Sequence, residues 1–117
     1  MKAFFTFLIL SLCSNFAFSS SNPEYLYPQP DSKYNKTSTS ILMRFDERVP
    51  ISFTQKKSVS IIGSKSGVHD FSVKISTDNK SVTFIPDEKF TTNEKVEVII
   101  KESNNASVFN LSFETEK

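Results

Sequence analysis

The chain has 117 residues, 14 Lys and Arg against 13 Asp and Glu, two glycines and a single cysteine. That length allows one domain, and one cysteine cannot build a disulfide scaffold, so stability has to come from an apolar core. Near-neutral charge with the signs interspersed argues against nucleic acid or an anionic membrane surface as a partner.

Met1-Lys2 opens the chain with a positive charge, and Ala3 to Leu12 is apolar. A run of about ten residues is too short for a membrane-spanning helix and right for the core of a signal peptide. Ala17 and Ser19 are the small residues that precede a cleavage point, so residues 1–19 read as a signal peptide and the mature chain as exported. Leu10-Ser11-Leu12-Cys13 supports a second reading, a lipoprotein signal that anchors the chain through Cys13. With the cut after Ser19, neither cysteine nor a transmembrane helix remains.

Residues 20–39 are polar and carry Pro23, Pro28 and Pro30. Prolines remove ladder donors, so this is an extended lead-in with at most a short edge strand at Glu24 to Tyr27. Tyr25, Tyr27 and Tyr34 pack over the end of the domain or, alternatively, form a sugar-stacking surface.

From Ser40 the period becomes that of half-buried strands. Ile41, Met43 and Phe45 face inward; Asp46-Glu47-Arg48 breaks the run; and an irregular link leads to Val59 and Ile61. Gly63 to Gly67 reads as the turn into a strand with Phe71, Val73 and Ile75 inward, the glycines supplying backbone freedom. Asp78-Asn79 turns the chain back into Val82 and Phe84, completing a three-stranded meander. Phe90 tucks its ring under the turn at Pro86 to Lys89. Val96, Val98 and Ile100 form the next strand, Asn104-Asn105 the following turn, and Phe109, Leu111 and Phe113 the last inward set. No helical spacing interrupts the pattern. The expectation is an all-β, Ig-like two-sheet antiparallel sandwich of about seven strands over 40–117, beginning as early as residue 24. Its roughly sixteen inward side chains, each worth about 1.5–3 kcal/mol on burial, suffice to hold it.

Laid out in this order, the residues resemble a bacterial Ig-like domain of the SbsA (S-layer) type over about Tyr27 to Glu114. The matching stretches are Pro28 or Pro30, Ile41-Leu42-Met43-Arg44-Phe45-Asp46, Val59 to Gly67, Asp78-Asn79-Lys80-Ser81-Val82-Thr83-Phe84-Ile85-Pro86, and Val96-Glu97-Val98. Members often have a glycine in the last turn and a tyrosine in the closing strand, where this chain has Asn104-Asn105 and Val96. The resemblance implies a surface or secreted module, generally one of several in a larger protein, with no shared catalytic residues.

The residues themselves assign no catalytic, cofactor or metal site. His69, the only histidine, reads as a solvated loop residue, and a lone histidine offers no zinc set or triad. Asp46-Glu47, Asp70, Asp78 and Asp87-Glu88 fall at turns, without the D-x-D-x-D-G spacing of a calcium loop. Lys56-Lys57 and Lys65 are isolated basic spots. Asn-x-Ser/Thr tripeptides at Asn35, Asn79, Asn105 and Asn110 are acceptors only in a eukaryotic secretory route. The function expected is that of an exported, non-catalytic structural spacer or interaction domain at the cell surface, its partners being neighbouring domains or other surface proteins. The chain would then be a piece of a larger protein. The alternative is a glycan- or peptide-binding module using Tyr25, Tyr27 and Tyr34 or the Gly63–Gly67 loop.

Overall fold

Strict alternation of apolar and polar residues buries one face of each strand, and two such faces close on each other. The computed structural model describes residues 23–101 and 107–117, with the side chains of Ser107 and Val108 not described. The expected leader with Cys13, the expected cut after Ser19 and the expected turn at Asn104-Asn105 lie outside these residues.

The eight strands are β1 (Tyr25–Tyr27), β2 (Ile41–Arg44), β3 (Val59–Gly63), β4 (Gly67–His69), β5 (Phe71–Ile75), β6 (Ser81–Pro86), β7 (Lys95–Lys101) and β8 (Ser107–Glu114). They make two four-stranded sheets, ordered β1-β2-β6-β5 and β4-β3-β7-β8, and every pairing between strands is antiparallel. The expected all-β, Ig-like antiparallel sandwich is present, with eight strands in place of about seven.

The extra strand corrects the reading of the central stretch. Gly63–Gly67 does not lead into Phe71–Ile75 as one hairpin. It leads into β4, three residues long, which pairs with β3 through Ile61↔His69 and Ile62↔Val68. The chain then crosses at Asp70 to the other sheet, where β5 pairs with β6. Lys57 to Pro86 is therefore shared between sheets instead of forming one meander. A three-residue strand holds too little alternation to be read from the sequence.

The inner faces fill one cluster of 16 buried apolar residues, including Ile41, Met43, Ile61, Val82, Phe84, Val96, Val98, Ile100 and Phe113. Phe53 also belongs to it, carried inward by a 3-10 turn at Ile51–Phe53 and set edge-on to Phe45 at 5.0 Å between ring centres. Ile75, expected inward, is 45% exposed. It lies at the end of β5, which among the described residues is an edge strand.

The lead-in also has a structural task. Asp31 N–H donates to Ser112 O, Glu114 N–H to Ser32 O, Asn35 N–H to Glu114 O and Glu116 N–H to Asn35 O. These bonds advance together along both segments, so residues 31–35 run parallel to the end of β8 and cover its edge. Among the described residues no helix is long and apolar enough to cross a membrane.

Candidate functional site

The densest polar constellation centres on Glu94, a residue the sequence does not single out. Glu94 is 2% exposed and accepts four hydrogen bonds. Oε1 takes the backbone N–H groups of Lys65 at 2.8 Å and Ser66 at 2.9 Å; Oε2 takes the Ser66 hydroxyl at 2.8 Å and Thr91 N–H at 2.6 Å. Burial pushes its carboxyl pKa up, but the Ser66 and Lys65 amides, the Ser66 hydroxyl and Thr91 N–H outweigh that and hold it below its ordinary value.

Local sequence explains the placement. Thr91-Thr92-Asn93-Glu94 has the spacing in which a glutamate side chain reaches back to the N–H three residues earlier. Asn93 supplies the left-handed backbone of this turn at φ 55°. Thr115 anchors it from β8's side: its hydroxyl donates to Thr91 O at 2.7 Å and accepts Glu94 N–H at 2.9 Å. The same Thr-x-x-Glu spacing was the one signal by which Glu94 was findable.

The two glycines that flank the β3–β4 turn have different causes. Gly67 has φ +83° and open space around it, so backbone freedom is what it supplies. Gly63 is outside the left-handed region, and a Cβ there would collide with Ser66 Oγ and come within 2.5 Å of Glu94 Oε1. Contrary to the backbone reading of both glycines, Gly63 is required for room.

His69 is not a solvated loop residue. It is 8% exposed, lies in β4 opposite Ile61, and packs its ring on Phe90 at 4.6 Å. Phe90 is buried, as expected for a ring under its turn, and meets Phe113 edge-on. Ser66 Oγ lies 2.7 Å from His69 Nε2.

Serine, histidine and glutamate in one cluster invite comparison with a nucleophilic triad, but the order of the hydrogen bonds differs. In a triad the imidazole sits between hydroxyl and carboxylate, so that it takes the hydroxyl proton. Here the hydroxyl sits in the middle. A carboxylate only accepts, so the Ser66 proton points to Glu94 and His69 Nε2–H donates to Ser66 Oγ. The arrangement fastens the β3–β4 turn to the loop before β7. Beside it lies a shallow groove of about 350 Å³ lined by Ser66, Val68, His69, Asp70, Asp87, Glu88 and Lys89.

The remaining candidates are dispersed. Tyr25 and Tyr27, each 49% exposed, share the outer face of the first sheet opposite Arg44 and Leu42. Tyr34, 65% exposed, lies on the segment along β8 with Lys117 Nζ over its ring at 5.9 Å. Asp70 pairs with Lys56 at 2.8 Å and Asp78 with Arg44 at 3.3 Å. Asp78 also closes its turn, accepting from the Ser76 hydroxyl and Lys80 N–H; those bonds, led by Ser76, lower its pKa to about 2. Among the described residues no three His, Cys, Asp or Glu side chains are grouped to hold a metal ion.

A family model described as a bacterial Ig-like domain matches residues 22–115. No curated protein matches the chain. Among solved structures, an L,D-transpeptidase 3 from Mycobacterium tuberculosis aligns with TM-score 0.54 at 12% identity over 82% of this chain and 37% of the other. The copper resistance protein PcoC from Escherichia coli aligns with TM-score 0.56 at 20% identity over 81% of this chain and 99% of the other. The S-layer protein SbsC aligns with TM-score 0.51 at 16% identity over 76% of this chain and 14% of the other. The chain thus spans well under half the length of the transpeptidase and of the S-layer protein, and at these identities the shared property is the fold.

Proposed function

Because the chain belongs to the family of bacterial Ig-like domains, we propose that it is an exported, non-catalytic module serving as a structural spacer or interaction domain at the cell surface, within a larger surface or secreted protein. The observation carrying this reading is how the Ser66/His69/Glu94 cluster is used. Each of its hydrogen bonds holds backbone or another member of the cluster, and the hydroxyl proton is directed away from the imidazole that would activate it. The apolar sequence of residues 3–12 supports export, and the match of this fold to a short part of SbsC supports a place in a multidomain surface protein. Surface labelling of intact native cells, with mass spectrometry of the chain's N-terminus, tests the proposal. A labelled chain beginning at Ser20, or at a lipidated Cys13, is expected; an unlabelled cytoplasmic chain retaining Met1 overturns it.

A second reading, glycan binding, is favoured only at Tyr25 and Tyr27, which lie two residues apart on one face of β1, each about half exposed. The Gly63–Gly67 loop is committed to Glu94. A glycan array with the wild type and Tyr25→Ala/Tyr27→Ala decides it: binding lost in the double variant supports this reading, and no binding by the wild type retires it.

A further inference from the structure

The sheet edges are not equally closed. β8's edge is covered by residues 31–35, whereas β5 ends the other sheet. Backbone parity says which of its groups are open. Asp87 N–H donates to Asp70 O and Ser76 N–H to Ser81 O, and the β5–β6 register pairs Phe71↔Pro86 through Ile75↔Val82. Even-numbered residues therefore turn their N–H and C=O groups toward β6, and Phe71, Val73 and Ile75 turn theirs outward. Phe71 N–H is already taken by Asp70 Oδ1 at 2.9 Å, the carboxylate being held in turn by Lys56. Val73 and Ile75 have no such partner among the described residues. Two open residues, each with a donor and an acceptor, are what a short added strand requires.

Side chains around this opening specify the strand. Ile75 is 45% and Ile51 72% exposed, and with Arg48, Val49, Thr54 and Asn79 they line a groove of about 280 Å³ at the end of β5. Lys74 lies between the two open residues on the outer face. The basic residues nearby differ: Lys56 and Arg44 are paired with Asp70 and Asp78, while among the described residues Lys74 and Arg48 have no acidic partner. A second copy of β5 is a poor occupant. The antiparallel register that engages both Val73 and Ile75 in both copies sets Lys74 directly against Lys74 of the second copy, and like charges directly opposite destabilise a pair.

We propose that the β5 edge is a docking site for an extended segment of another polypeptide with an apolar–acidic–apolar pattern. The acidic residue lies opposite Lys74, and the apolar residues lie beside Val73 and Ile75, the latter over the groove. This rests on the interaction role proposed above and gives it a partner chemistry; being tested in vitro, it can fail while the surface location stands, and the reverse.

The test is an amide NMR titration of the folded domain with a short soluble peptide centred on Val-Glu-Val and its Val-Lys-Val counterpart. Shifts centred on Val73 and Ile75 are expected, with the acidic peptide bound about fivefold more tightly, the scale of one cross-strand charge pair. Lys74→Glu should reverse the preference. Val73→Pro should weaken binding about tenfold while leaving the ladder to β6 intact, since the lost N–H points outward. Unmoved Val73 and Ile75 resonances, an unaltered preference in Lys74→Glu, or a dimer of the wild type through this edge would overturn the proposal.

Discussion

A buried carboxylate that gathers three amides and a hydroxyl from two loops acts as a clamp, and its removal leaves those donors unpaired at once. Glu94→Ala should therefore cost about 3 kcal/mol, a value readable by denaturant unfolding. Because its pKa in the folded protein is held below that of an ordinary glutamate, its stabilisation is fully present above the unfolded-chain value and fades as the pH falls through the folded one. Glu94→Gln should accordingly lose less stability than the wild type between neutral pH and acid; an unchanged acid slope would contradict the clamp. The contrast between the glycines gives a second test. Gly63→Ala meets the Glu94 carboxylate whereas Gly67→Ala meets nothing within 4 Å. Only the first should couple to Glu94→Ala in a double-mutant cycle, by about 1 kcal/mol, while the second adds independently. The Thr-x-x-Glu spacing and the backbone freedom of Gly67 are legible in the sequence; the room needed at Gly63 is not, since a glycine needed for room and one needed for its φ are the same letter.

Period-2 alternation made the long strands readable. Ile41, Met43, Val82, Phe84, Val96, Val98, Ile100, Leu111 and Phe113 are buried as their spacing predicts. The same rule misassigned the ends. It placed Ile75 inside because it counts residues along one strand and cannot see that the strand lies at an edge, and it passed over Phe53, whose 3-10 turn follows another period. Phe53→Ala should cost about 3–5 kcal/mol, whereas Ile75→Ser should stay within about 0.5 kcal/mol, as exposed positions do. Chemical denaturation of both variants checks the core as the structure has it; equal losses would return Ile75 to the interior.

For the whole molecule, the lead-in proves to be part of the architecture: β1 joins one sheet and residues 31–35 close the edge of the other. A chain shortened to begin at Ser38 should lose both, melt lower and aggregate through β8, which size-exclusion chromatography after heating would show. The sandwich and its family pattern could be read from strand and turn grammar, but this closure depends on pairing across roughly eighty residues, which no local pattern reports. Its direction also sets how the fold answers tension applied at its two ends. Residues 31–35 and the end of β8 run parallel, so tension drawing the N-terminal side one way and the C-terminal side the other slides the two segments along each other. Their cross-links are then loaded together, where an antiparallel pair pulled from one end would unzip bond by bond. Such a link resists rupture until most of its hydrogen bonds fail at once; force spectroscopy would register a single high-force event, lost when Asn35→Pro removes its donation to Glu114 O.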